Sequence, residues 1–168
     1  MSPLSPTLET VHRDHFIQSL LCRDLEAVAD GLPDTPDVER VRALCERIER
    51  ITSCHFARAE QAFADLPGLQ RPTDAALDML HDMHLLDEIH AQDLVAALTE
   101  HASRFDETRV GQLAYMLRCF FDGCRRLIAL KESWIANAEL TQIRSDWPDS
   151  PAAPSPEFGN RGGSRRTR

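Results

Sequence analysis

The sequence predicts an all-α fold: an antiparallel up-down-up-down four-helix bundle over about residues 1–143, followed by a disordered tail over 144–168. Three observations predict it. Apolar residues recur every three or four positions through four long segments, the period of one helix face. Glycine and proline fall mostly between those segments, where helices should stop. No run alternates with period two for long enough to make a strand. Because the connections are short, consecutive helices must pack side by side and antiparallel.

The first segment runs from about Leu8 to Asp30, with Val11, His15, Cys22, Leu25 and Ala29 on one stripe. The run "GLPDTP" ends it, and Asp34 or Thr35 can cap the next helix. The second segment, about Asp37 to Asp65, aligns Val41, Leu44, Ile48, Ile51, His55 and Ala59, and "LPGLQRP" breaks it. The third starts near Thr73 and runs to about Ala102, with Leu77, Leu80, His84, Glu88, Ala91, Val95 and Leu98 in line. The fourth, about Glu107 to Ile143, carries Val110, Leu113, Leu117, Phe120, Cys124, Leu127, Trp134 and Ala138 on a stripe that also contains Lys131. The tail is rich in Pro, Ser, Gly and Arg and ends in Arg161, Arg165, Arg166 and Arg168. It reads first as a solubilising extension, with a docking peptide as the alternative, and its removal should leave the fold intact.

Composition narrows the function. A chain of 168 residues supports one domain with a real core. A formal net charge of -8 argues against a nucleic-acid partner or an anionic membrane surface, because phosphates demand basic patches. Five cysteines at irregular spacings, with no CxxC pair, do not form a disulfide framework. The opening "MSPLSPTLETVHRDH" lacks an export or membrane signature, so the expected compartment is the cytoplasm. There is no phosphate-cradling glycine loop, no GxSxG and no helical HExxH, so the chain is not expected to be an enzyme.

The informative residues interrupt the apolar stripes: His15, His55, His84 with Glu88, and Lys131, one group per helix. In an antiparallel bundle, positions early in helices one and three and late in two and four lie at similar height, where side chains can converge on a metal. Imidazole and carboxylate suit iron, manganese or zinc. A histidine in such a seam is also commonly just a hydrogen-bonded core residue. His12 and His81 lie at the edge of the same faces and read as half-exposed, while His90 and His101 read as surface residues. Cys124 and Cys54 admit a replacement thiolate ligand, but buried cysteine usually acts as a small hydrophobe.

The stretches "DHFIQSLLCRDLEAVADGLP", "HFARAEQAF", "MHLLDEIHAQDLVAAL" and "FFDGCRRLIALKESWIANAEL" together resemble the hemerythrin-like HHE cation-binding family over about residues 8–143. The resemblance implies a four-helix bundle with a non-haem, usually di-iron, centre that binds or senses oxygen, nitric oxide or iron. It places His15, His55 and His84 with Glu88 at ligand positions. The remaining positions depart from the pattern: Ala59 stands where the second helix should offer a carboxylate, with Glu60 one step, about a hundred degrees, further round. In the fourth helix, "LIALK" stands where relatives carry "HIALE", so Leu127 replaces a histidine and Lys131 a carboxylate.

Two functions are therefore expected to compete. One is a reduced or vestigial iron site on His15, His55, His84 and Glu88, binding a metal ion and a small gas. The other is a metal-free regulatory or interaction module in which Lys131 replaces the metal charge. In the second, Lys131 either pairs with Glu88 across the seam or snorkels past it to water.

Overall fold

The computed structural model describes residues 6–34 and 36–146. Its helices are α1 (Pro6–Gly31), α2 (Val38–Arg50), α3 (Phe56–Ala64), α4 (Asp74–Ser103) and α5 (Val110–Asp146). A single π turn, Ile51–His55, joins α2 to α3, so the two form one rod and the architecture is the expected all-α four-helix bundle. No strand occurs among the described residues. None of the described helices is long and apolar enough to cross a membrane. The expected tail falls almost entirely on residues 147–168, outside the described residues; α5 itself continues to Asp146.

Local chemistry sets the boundaries. Asp37, rather than Asp34 or Thr35, caps α2, its carboxylate accepting the Arg40 N–H at 2.9 Å. Thr73 caps α4 by accepting from Ala76 N–H at 3.3 Å. The Asp37 cap serves one of the first-turn donors that lack a carbonyl four residues back, and the Ala76 N–H is shared between the Thr73 hydroxyl and the Thr73 carbonyl. α1 and α4 each pack against α5 and against the α2–α3 rod, so α1 and α4 stand diagonally opposite.

The buried stripes alternate steps of three and four. On α4 they run Leu80, His84, Ala91, Leu94, Leu98 and His101, with Asp87 partly buried in the register between His84 and Ala91. A second consecutive step of four from His84 would reach Glu88, but that overshoots a seam of average period 3.5 and rotates the side chain outward. Glu88 is exposed. The same alternation makes His101 buried, against the expectation that it lies on the surface, and its ring meets Phe105 edge-on at 5.5 Å. His90 is exposed, as expected.

Two apolar clusters make up the core. The larger gathers Leu21, Leu25, Ile48, Leu94, Leu117 and Phe120 with their neighbours. The smaller holds Val11, Ala59, Phe63, Leu80, Leu127 and Ile135 with theirs. Buried polar side chains gather where these two clusters meet: His15 and Gln18 on α1 and His84 on α4 lie between the two along the chain, His55 lies between Ile51 and Phe56 of the larger, and Lys131 lies between Leu127 and Ile135 of the smaller. This polar layer is the candidate site.

Candidate functional site

Lys131 is fully buried, 0% exposed, so it does not snorkel to water. Its Nζ lies 3.1 Å from His55 Nε2 and 3.5 Å from His84 Nε2. The partner expected from spacing, Glu88, points away to solvent, and no Lys131–Glu88 pair forms. The acidic residue that turns inward instead is Asp87, which tucks beside Gly123 of α5. A Cβ at Gly123 would sit 3.4 Å from Asp87 Oδ1.

The histidine rings are held from behind by carboxylates. His55 Nδ1 donates to Asp14 Oδ2 at 3.3 Å, and Arg58 pairs with the same carboxylate. His84 Nδ1 donates to Glu60 Oε1 at 2.6 Å, and His15 Nδ1 donates to Glu132. A carboxylate can only accept, so each Nδ1 carries the hydrogen and each Nε2 keeps a lone pair turned into the bundle. For His55 and His84 the ammonium of Lys131 donates into that lone pair. His15 Nε2 is buried and has no hydrogen-bond partner among the described residues.

Ring packing fixes the rest. His15 meets His55 edge-on at 5.2 Å, and Phe56 stacks on His84 at 4.1 Å with an interplanar angle of 5°. Lys131 Nζ also lies 5.7 Å from the Phe56 ring centroid, within cation–π range. The π turn helps explain this crowding, since its wider coil lets both His55 and Phe56 face inward. Phe56 and Glu60, four residues apart on α3, then grip His84 together, one by its face and the other by its Nδ1.

Two of these three carboxylates also serve a second histidine, while the second partner of Asp14 is Arg58. Glu132 accepts from His12 Nδ1 at 2.9 Å, and Glu60 accepts from His81 Nδ1 at 3.0 Å. Thus "HRDH" on α1 and "HDMH" on α4 each present an inner and an outer ring bridged by one carboxylate from a neighbouring helix. His12 and His81 are exposed edge residues, not inward ligands.

Burial and charge act on the titrations in one direction. Burial, reinforced by the Lys131 charge, pushes His55 down to about 2. The same two causes bring His84 down to about 4, with Glu60 opposing them. His15 is lowered by burial, against the pull of Glu132. Burial brings Lys131 down to about 8, with Asp87, Glu60 and Glu132 among the groups pulling the other way. At neutral pH the layer is therefore one ammonium among neutral imidazoles, with the balancing negative charge one shell further out.

The inward donor set does not fit the iron centre expected from the resemblance. Ala59 and Leu127 are buried at two ligand positions and offer no donor atom. Glu88 is outside, and Glu60 reaches only the back of His84. Among the described residues no group of three or more His, Cys, Asp or Glu side chains is arranged to hold a metal ion. Cys54 is exposed beside His55, and Cys124 lies in the apolar core, so neither supplies a thiolate in place of the missing ligands.

Sequence reasoning placed His15, His55, His84 and Lys131 in this layer and missed Asp14, Glu132, Gln18 and Asp87. A signal for the first two was present. Asp14 and Glu132 each adjoin an inward residue, and charges flanking a seam position are the ones that reach a neighbouring helix. No family model matches the chain, and comparison with curated proteins and with solved structures finds no match for it either.

Proposed function

We propose that this chain is a metal-free member of the hemerythrin-like lineage that its sequence resembles, and that it works as a regulatory or interaction module. In this reading the ammonium of Lys131 takes the place of the metal charge. The observation that carries the proposal is the buried Lys131 Nζ, 3.1 Å from His55 Nε2 and 3.5 Å from His84 Nε2.

Electrostatics supports this reading. Rings oriented by carboxylates on Nδ1, with Nε2 presented to a cation, are the arrangement by which metal-binding histidines are held. Here the cation is carried by the chain itself. A divalent ion about 4 Å from a protonated Lys131 would meet a repulsion on the order of 8 kcal/mol at an effective dielectric constant near 20. The iron- or gas-binding alternative therefore requires the ammonium to lose its proton or leave.

The test is metal content and thermal stability of protein purified from iron-supplemented cells. We expect no stoichiometric iron and no change of melting temperature with added Fe2+ or Zn2+. The Lys131→Ala variant frees the Nε2 atoms of His55 and His84, and Zn2+ should raise its melting temperature, since a ligand that binds the native state stabilises it. Wild-type protein carrying near-stoichiometric iron would overturn the proposal.

A further inference from the structure

The outer face of α4 exposes Leu85, Leu86 and Ile89 side by side, with fractional exposures of 46%, 57% and 55%. Exposed Asp78, Asp82 and Asp93 flank this patch on the same face, and α4 contains no lysine or arginine. A face that is apolar at its centre and carries these three carboxylates at its flanks favours a cationic segment with an apolar anchor. A second apolar patch, Phe16 and Ile17 on α1, lies on the opposite side of the bundle beside exposed Arg13 and Arg23, and those charges repel such a segment.

The chain itself contains a matching segment. Within residues 147–168, Phe158 is followed by Arg161, Arg165, Arg166 and Arg168, with no acidic residue after Glu157. Reach permits the contact. Gln142, near the end of α5, bonds to Gln70 at 2.8 Å, which puts the end of α5 beside the start of α4. Leu86 lies about 18 Å along α4 from Asp74 at the helical rise. Residues 147–157 can span up to about 36 Å. Attachment to the same molecule adds an effective concentration on the order of millimolar, so individually weak contacts suffice.

We propose that the segment around Phe158 and the terminal arginines docks onto the α4 face of its own molecule, with Phe158 on the Leu85, Leu86 and Ile89 patch and the arginines against Asp78, Asp82 and Asp93. The docked segment covers this acidic-apolar face of the bundle. The inference does not depend on the state of the Lys131 layer, which lies inside the bundle.

The experiment uses the full chain with photoreactive p-benzoylphenylalanine in place of Phe158, irradiated at low concentration and mapped by mass spectrometry. A mixture of light and isotope-labelled chains separates links within a molecule from links between molecules. The expected result is linkage within one chain, to the outer residues of α4 between 78 and 93. The yield should fall several-fold at about 1 M salt, where the screening length shrinks to about 3 Å. It should fall comparably in the Asp78→Asn, Asp82→Asn, Asp93→Asn triple variant, whose helix content by circular dichroism should match the parent. Linkage to other surfaces, linkage only between chains, no linkage, or a yield indifferent to the triple variant would overturn the proposal.

Discussion

The apolar cluster around Leu21, Ile48, Leu94 and Phe120 and the polar layer around Lys131 share the same four rods, yet different physics holds each. In the apolar cluster stability comes from burial and volume, so side chains of similar size exchange at modest cost. In the polar layer it depends on protonation and on which atom faces which. Sliding one helix by a turn would set the Lys131 ammonium against leucine, whereas the apolar cluster would only repack. A slipped register would therefore lose the buried pairs of the polar layer, a penalty that acts on register whatever the layer's net contribution to stability.

Acid should separate the two regions most. The folded state holds His84 near 4 and His55 near 2, below the ordinary value of 6.5, so the unfolded chain takes up protons first as the pH falls. The stability contributed by keeping these rings neutral is complete above pH 6.5 and is lost as the pH drops toward the folded values. Each ring costs about 1.4 kcal/mol per pH unit, a total of about 6 kcal/mol by pH 4, where His84 itself begins to protonate in the folded state. Urea unfolding across pH 7 to 4 measures this; a flat profile would contradict the assigned protonation states.

Phe120→Ala, in the apolar cluster, should cost about 3–5 kcal/mol through the cavity it leaves. That cost should be nearly the same at pH 5 and pH 8, because no titrating group is touched.

Lys131→Met should cost less, about 1–2 kcal/mol at pH 7.5. It removes the ammonium's bonds to two imidazoles, worth about 1.5–3 kcal/mol each, but also relieves the burial of a charge. The pH dependence is the sharper readout. Lys131 is held near 8 when folded against 10.5 unfolded, so the native wild type sheds this proton first and gains stability as the pH rises above 8. The variant lacks that gain, and its cost should grow from pH 8 to pH 9. His55 and His84, no longer beside a cation, should titrate higher by NMR.

The smallest effect compares the two histidine pairs. Glu60→Gln should cost about 1 kcal/mol, because the amide oxygen still accepts from His84 but without its charge. It should also lower the His84 titration further, since Glu60 now holds that value up. Glu132→Gln should act in the same way on His15 and leave His84 little changed. A shift of both histidines by either substitution would mean that the pairs are not the separate units their carboxylates suggest.

The four rods, their boundaries to within a few residues and the inward position of Lys131 were legible because each depends on one helix's own period. Lys131 shares the stripe of Leu117, Phe120, Cys124 and Leu127, and that alone predicts a buried ammonium. Where the period was carried too far, as from His84 to Glu88, one extra step of four turned the wrong carboxylate inward. The π turn at Ile51–His55 has no clear sequence mark; "ITSCH" would read equally well as ordinary helix.

Only the packed bundle decided what Lys131 meets. The Nε2 atoms around its ammonium come from the α2–α3 rod and from α4, and the carboxylates behind the rings come from α1, α3 and α5. No spacing within one helix encodes such a meeting, because residues on flanks that look solvent-facing in isolation become neighbours only after the rods close. The lowered titrations of His55, His84 and Lys131 have the same origin. Burial is the largest cause of each, and it belongs to the assembled core and not to any one residue's place in the chain.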